Sequence, residues 1–214
     1  MNNIQTNAIP YIPNIGKLPV NQRNTLLIEQ GFTGDINVIN WKEYNYQPTV
    51  KFYLAHDNSN LFVYYLVDED NVRATYLNDN DAVWEDSCVE AFFSTNIEKE
   101  YYNFEFSCIG TALAACGENR QDRKHWDDDK MKKIQRYTSL NKSIVGVDNL
   151  HAEWWLQAVI PMDLIGIKKG ECFYANFYKC GDSTKQPHFL SWNAINTPQP
   201  DFHQPKFFGC FSLD

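Results

Sequence analysis

Long hydrophobic runs, clustered basic residues and close cysteine pairs are all missing from this 214-residue chain. The longest apolar run, Leu61-Phe62-Val63-Tyr64-Tyr65-Leu66-Val67, has the length of a strand and falls far short of a membrane span. Lys and Arg number 19 against 27 Asp and Glu, for a net charge of -8. That balance argues against a nucleic-acid partner, because phosphate backbones reward clustered cations. The six cysteines (Cys88, Cys108, Cys116, Cys172, Cys180, Cys210) form no C-x-x-C pair, so zinc-ribbon and thioredoxin-type motifs are unsupported. Cys88, Cys108, Cys172 and Cys210 lie in apolar strand-like runs, where a thiol behaves as a small buried hydrophobe, and reduced cysteines are expected. The first residues, Met1-Asn2-Asn3-Ile4-Gln5-Thr6-Asn7, show neither the basic start nor the apolar core of a signal peptide. The expectation is a cytoplasmic protein, or an exported one whose signal has been removed. Three Met residues, none in a block that suggests an axial ligand, leave haem ligation unsupported. The five His show no metal spacing, and no cofactor or metal is expected from them. A phosphate loop, a nucleophilic serine motif and a Cys–His pairing signal are likewise lacking.

Aromatic residues are plentiful. Trp, Tyr and Phe number 6, 12 and 14, or 15% of the chain, a bias that suits pleated sheets and also lines binding clefts. Strand-length segments follow one another from about residue 35: Val50–Ala55, Leu61–Val67, Cys88–Phe93, Tyr101–Cys108, Trp154–Ile160, Cys172–Lys179 and Phe207–Leu213. Asp57-Asn58-Ser59-Asn60 has hairpin-turn chemistry, since Asn and Asp tolerate left-handed backbone and bond their own main chain. Short helices are expected around Asn21–Gln30 and just after Pro161. Many short strands with few helical periods predict an all-β chain, an antiparallel β-sandwich of immunoglobulin or jelly-roll type. Residues 1–34, with Pro10, Pro13 and Pro19, read as an extended arm on a single domain spanning 35–214. The charged stretch Asn119–Arg136 reads as a solvated loop. Three consecutive carboxylates, Asp127 to Asp129, cannot alternate around one ion as calcium-loop ligands do.

The most informative segment is Val83-Trp84-Glu85-Asp86-Ser87-Cys88-Val89-Glu90-Ala91-Phe92-Phe93. An aromatic face with a nearby carboxylate suits a sugar: the C–H face of a pyranose packs on indole and the carboxylate accepts from hydroxyls. The same residues also fit a core strand with a core Trp. Two further blocks accompany the segment: Tyr101-Tyr102-Asn103-Phe104-Glu105-Phe106-Ser107-Cys108-Ile109-Gly110-Thr111, and a tail from Ala175. The tail holds Ala175-Asn176-Phe177-Tyr178-Lys179-Cys180-Gly181-Asp182, Phe189-Leu190-Ser191-Trp192 and Pro200-Asp201-Phe202-His203-Gln204-Pro205-Lys206-Phe207-Phe208-Gly209. In this order and spacing the blocks resemble the family 9 carbohydrate-binding modules, especially their stand-alone bacterial branch, over about residues 35 to 214.

The resemblance implies a β-sandwich with a sugar slot between two stacking aromatics, a mono- or oligosaccharide as ligand, often a glucan chain end, and structural calcium in some members. Trp84 matches the first aromatic and Glu90 the hydroxyl-binding carboxylate. Phe202, followed by His203, stands where the second Trp would be. The Arg that sugar-binding members carry on the strand after Glu90 is replaced by Asn103 and Glu105, and Arg120 is the nearest cation able to stand in. Alternation sets Asn103 and Glu105 on one face of their strand, and Asn176 and Tyr178 on one face opposite Phe177 and Lys179. Lys179 is expected at the cleft or on the outside, and Trp192 in the core or the wall. The expected ligand-binding set is Trp84, Glu90, Asn103, Glu105, Arg120, Tyr178, Lys179, Phe202 and His203. Trp84 and Phe202 are expected to be substantially exposed, facing each other across the groove. The alternative is a glycosidase using carboxylates near Glu90, although no apolar pocket that would raise one pKa is legible. A monomer is expected, with no nucleic-acid or membrane partner.

Overall fold

Apolar segments of strand length, separated by turn-forming residues, bury their surface by stacking two sheets. The computed structural model describes residues 5–147 and 149–214. In chain order the strands are β1 (Thr6–Ile9), β2 (Phe32–Asp35), β3 (Val38–Ile39), β4 (Thr49–His56), β5 (Asn60–Val72), β6 (Cys88–Ser94), β7 (Tyr101–Ser107), β8 (Ala112–Gly117), β9 (Lys124–His125), β10 (Gln135–Thr138), β11 (Leu150–Pro161), β12 (Phe173–Cys180), β13 (Phe189–Ser191) and β14 (Gly209–Leu213). Among the described residues the α-helices are α1 (Val20–Gln30) and α2 (Asp128–Met131), and short 3-10 turns lie between several of the strands. No helix among the described residues is long and apolar enough to cross a membrane.

The first sheet runs β1-β14-β12-β6-β7-β8-β9, with β13 bridging β12 and β3; the second runs β10-β11-β5-β4-β2. Pairing is antiparallel except at β1, which lies parallel to β14. The expected β-sandwich is therefore present. Its β4–β5 hairpin turns at Asp57–Asn60, where Asn58 has φ 72° and Asp57 accepts from the Ser59 and Asn60 amides. At the two ends of the segment before residue 35, β1 and β2 pair with β14 and β4, while the residues between them lie over the second sheet.

Three apolar layers follow from strand alternation. Between the sheets lie Phe52, Leu54, Val63 and Tyr65 from one side and Val89, Ala91, Phe93, Phe104, Phe106 and Phe177 from the other. Trp192 packs on this central core, as the sequence suggests. The outer face of the second sheet, including Tyr53, Phe62 and Tyr64, is covered by Ile12, Ile15 and Leu27 from the N-terminal segment. On the outer face of the first sheet, Cys88, Phe92, Tyr101, Leu113, Tyr178 and Cys180 lie beneath loop residues Trp41, Val83, Ile195, Phe202 and Phe208. Every residue of β6 is consequently buried, because both of its faces are covered. That loop-covered face holds the cleft.

Candidate functional site

The site is built across the middle of the first sheet. Register sets Tyr178, Glu90, Glu105 and Leu113 side by side on β12, β6, β7 and β8. A Glu in a strand of apolar residues is costly to bury, and Glu90 and Glu105 retain only 3% and 2% of their exposure. Above them opens a cleft of about 440 Å³, mouth included, lined by Trp84, Glu90, Glu105, Arg120, Arg123, Cys180, Asp182, Phe189, Pro200, Asp201, Phe202 and His203.

Trp84 belongs to a 3-10 turn, Val83–Glu85, that leads into β6. Its position is set from two directions. Asp86, buried, pairs with Arg73 and accepts from the Thr75 and Tyr76 amides, which pins the turn from below. The Trp84 carbonyl accepts from the Asp182 amide at 3.2 Å, and Glu85 accepts from Ser183 in the same way. The indole is left half-buried on the wall of the cleft.

Phe202 differs from expectation. It retains 8% exposure, because its ring stacks face to face on Tyr178 at 4.2 Å and 7°. Tyr178 also donates its hydroxyl to the Phe202 carbonyl at 3.2 Å, so it supports the wall from below the cleft surface. Phe189, half-buried and edge-on to Tyr44 at 4.7 Å, is a third aromatic at the cleft, which the sequence reading missed.

Asn103 is also a supporting residue: it is buried and donates to Glu105 Oε1 at 3.0 Å. Lys179 lies elsewhere. It alternates with Tyr178 and so points between the sheets, fully buried, with Nζ 2.9 Å from Glu69 Oε2, 2.9 Å from the Cys180 carbonyl and 2.9 Å from His188 Nε2. The expectation for Lys179 is corrected by strand parity. His188, which reads as a loop residue in the sequence, is buried with it.

Of the two cleft cations, Arg120 is exposed and Arg123 was not anticipated. The stretch Asn119–Arg136 is largely exposed, as a solvated loop would be, and also carries β9, α2 and the start of β10. Asn119 ties the turn by accepting from the Gln121 and Asp122 amides. Gly117 lets the returning chain come close; a Cβ there would meet Arg123 Cα at 2.4 Å. The Arg123 side chain, 12% exposed, then reaches over the sheet to within 4.0 Å of Glu105 Oε1 and donates to His203 Nε2 at 2.7 Å. With Nε2 accepting, neutral His203 carries its proton on Nδ1 and donates to the Tyr101 hydroxyl at 2.7 Å. Burial and the two arginines push the His203 pKa down to about 2, so it stays neutral. Asp127 caps α2 by accepting from the Lys130 amide.

The electrostatics are unusual for a strand pair. Like charges directly opposite repel, and burial strips both carboxylates of water. Glu90 is pushed well above the carboxylate range by burial and then by Glu105; burial raises Glu105 to about 7 against the pull of Arg123. Asp182 is raised to about 6, again by burial. The sequence reading saw no pocket able to raise a carboxyl pKa; the loops that cover the outer face of the sheet create it. A group whose folded pKa is raised supports the fold below its unfolded pKa and loses that contribution as pH climbs through the folded value. Between pH 4.5 and 8 Glu105 should therefore cost the fold about 3 kcal/mol, from a rise of 4.5 to about 7. Urea unfolding of Glu105→Gln, followed across that range in chelator, should show a flatter pH profile than the parent; parallel profiles would contradict the assignment.

The profile of carbohydrate-binding family 9 matches residues 21–213. No curated protein sequence matches the chain. Among solved structures, a candidate carbohydrate-binding protein from Bacteroides uniformis ATCC 8492 is 32% identical, with a TM-score of 0.88 over 99% of this chain and 100% of that one. A family 9 module from Caldicellulosiruptor kristjanssonii in complex with cellotriose has a TM-score of 0.59 at 14% identity, covering 98% of this chain and 93% of that one. A family 9 module from the same organism in complex with glucose has a TM-score of 0.55 at 14% identity, covering 98% of this chain and 96% of that one. At that identity the last two attest to the fold. The extent of the family match carries the assignment: the chain belongs to carbohydrate-binding family 9, a family of non-catalytic modules.

Proposed function

We propose that the chain binds a mono- or oligosaccharide in the Trp84 cleft, with a pyranose stacked on the indole and its hydroxyls bonded by Glu90, Glu105 and Arg123. The observation that carries this reading is the convergence of a half-buried Trp, two floor carboxyls and a tethered guanidinium in one solvent-open cleft. A ring with an apolar face and a rim of hydroxyls needs those three chemistries together. Arg123 supplies from the β8–β9 connection the cation that the family resemblance places on the strand after Glu90. Phe202 and Phe189 close the slot, with Tyr178 as backing for the first and Tyr44 for the second. Burial and the neighbouring Glu105 favour the neutral form of Glu90, and a neutral carboxyl can donate to a sugar hydroxyl as well as accept from one.

Hydrolysis is disfavoured by the placement of the carboxyls. Glu90 and Glu105 stand side by side on one floor as cross-strand partners, whereas glycosidases hold two carboxyls on either side of the scissile bond.

Glucose and cellotriose, the sugars bound by the two Caldicellulosiruptor modules, are the first probes. Calorimetric titration should give saturable one-site binding to one of them or to another member of a glycan panel. Silence toward every glycan at millimolar concentration would overturn the proposal. Arg123→Gln should weaken the binding by about 1.5–3 kcal/mol, the range for hydrogen bonds to a charged group. An unchanged affinity would remove Arg123 from the site.

A further inference from the structure

Cys88 and Cys180 are direct partners across β6 and β12, and Glu90 follows two residues after Cys88 on the same face. Their three ligand atoms, two Sγ and one carboxylate oxygen, lie within 4.8 Å of one another, with Cys180 Sγ 3.0 Å from the Glu90 oxygen. A tetrahedral zinc ion with sulfur at about 2.3 Å and oxygen at about 2.1 Å sets its ligands about 3.4–3.8 Å apart. Small side-chain adjustments would close this triad on such an ion. Cys180 and Glu90 also line the cleft, so the fourth position opens toward it. A second observation points to the same place. Glu105, opposite Glu90, is buried with Oε2 lacking any hydrogen-bond partner, and a coordinated water at the open position would give it one.

We propose that Cys88, Cys180 and Glu90 form a metal site for a thiophilic divalent ion of the zinc type at the floor of the cleft. Two sulfurs and one oxygen select zinc or cadmium over calcium and magnesium, which take oxygen ligands. Both thiols lose their protons to solvent on binding, together with any proton held by Glu90. The family resemblance implies structural calcium in some members, which is a different chemistry. The ligands come from strands far apart in sequence, and no spacing motif could announce them. This inference does not rest on sugar binding, and its test uses metal alone.

The fully reduced chain is titrated with cadmium in a non-coordinating buffer while the thiolate-to-metal band is followed in the ultraviolet. One ion per chain is expected, together with a cadmium NMR resonance reporting two sulfur ligands. Cys88→Ser and Cys180→Ser, each checked for folding by near-ultraviolet circular dichroism, should lose the band. Cys172→Ser, which alters an exposed cysteine outside the triad, should keep it. Absence of the band, a resonance with fewer than two sulfurs, or a band that survives both serine changes would overturn the site. The cadmium resonance decides the matter on the parent chain even if neither serine variant folds.

Discussion

Trp84→Ala should lower sugar affinity by about 2–3 kcal/mol, or about 30- to 150-fold, while leaving the fold intact. The indole is half-buried, held by the Asp182 amide through its carbonyl and not through its ring, so truncation removes the platform without releasing the turn. The dominant contribution of such a ring is dispersion and dehydration against the apolar face of the sugar, which no smaller side chain replaces. Calorimetry and unfolding on the same sample separate the two effects. An affinity within twofold of the parent would show that the ring is not the platform.

Lys179→Met should destabilise the protein by about 3–5 kcal/mol, through the charge it leaves behind and not through lost packing. Glu69 reaches from β5 and Lys179 from β12, so this fully buried pair ties the two sheets together across the core. The ammonium hydrogen-bonds the Cys180 carbonyl and His188 Nε2, each at 2.9 Å, and stands 2.9 Å from Glu69 Oε2 as an ion pair. Trp154 Nε1 donates to the other Glu69 oxygen at 2.9 Å. His188 is held neutral by burial and by the ammonium, its pKa well below the usual range, and its Nδ1 hydrogen goes to the Gln186 carbonyl. Removing the lysine alone strands the carboxylate; removing both charges in Glu69→Gln/Lys179→Met should recover part of the loss. Chemical denaturation of Lys179→Met, Glu69→Gln and the double variant gives the coupling. A single mutant as stable as the parent would refute the role assigned to the pair.

The contrast between Lys179 and Trp84 shows how far the sequence reaches. Alternation in β6 and β12 was readable, and it sets Glu90 and Tyr178 on one face and Phe177 and Lys179 on the other. Parity therefore pointed Lys179 inward, but the turn expected at Cys180-Gly181-Asp182 just after it suggested the cleft or the outside. Its partner, Glu69, sits in the other sheet, and inter-sheet pairing carries no local signature. Trp84 and Glu90 were legible because a short turn and one strand hold both. Arg123, Asp182 and Phe189 were not. Their approach depends on an Asn119-tied loop, a close backbone contact at Gly117 and a turn that hydrogen-bonds to the Trp84 segment. The raised carboxyl pKa values follow from the same cause, since a strand reads as half-exposed until the loops that cover it are known. Phe202 shows the reverse error: its position at the cleft was readable, but the Tyr178 ring that buries one of its faces was not.

The most direct test is a crystal structure of the chain soaked with the tightest-binding member of the glycan panel. The account predicts a sugar ring lying flat on the Trp84 indole, with hydroxyls within hydrogen-bond distance of Glu90 or Glu105 and of Arg123. A sugar seated instead in the groove of Leu66 and Trp155 on the opposite sheet, with the Trp84 cleft empty, would contradict it.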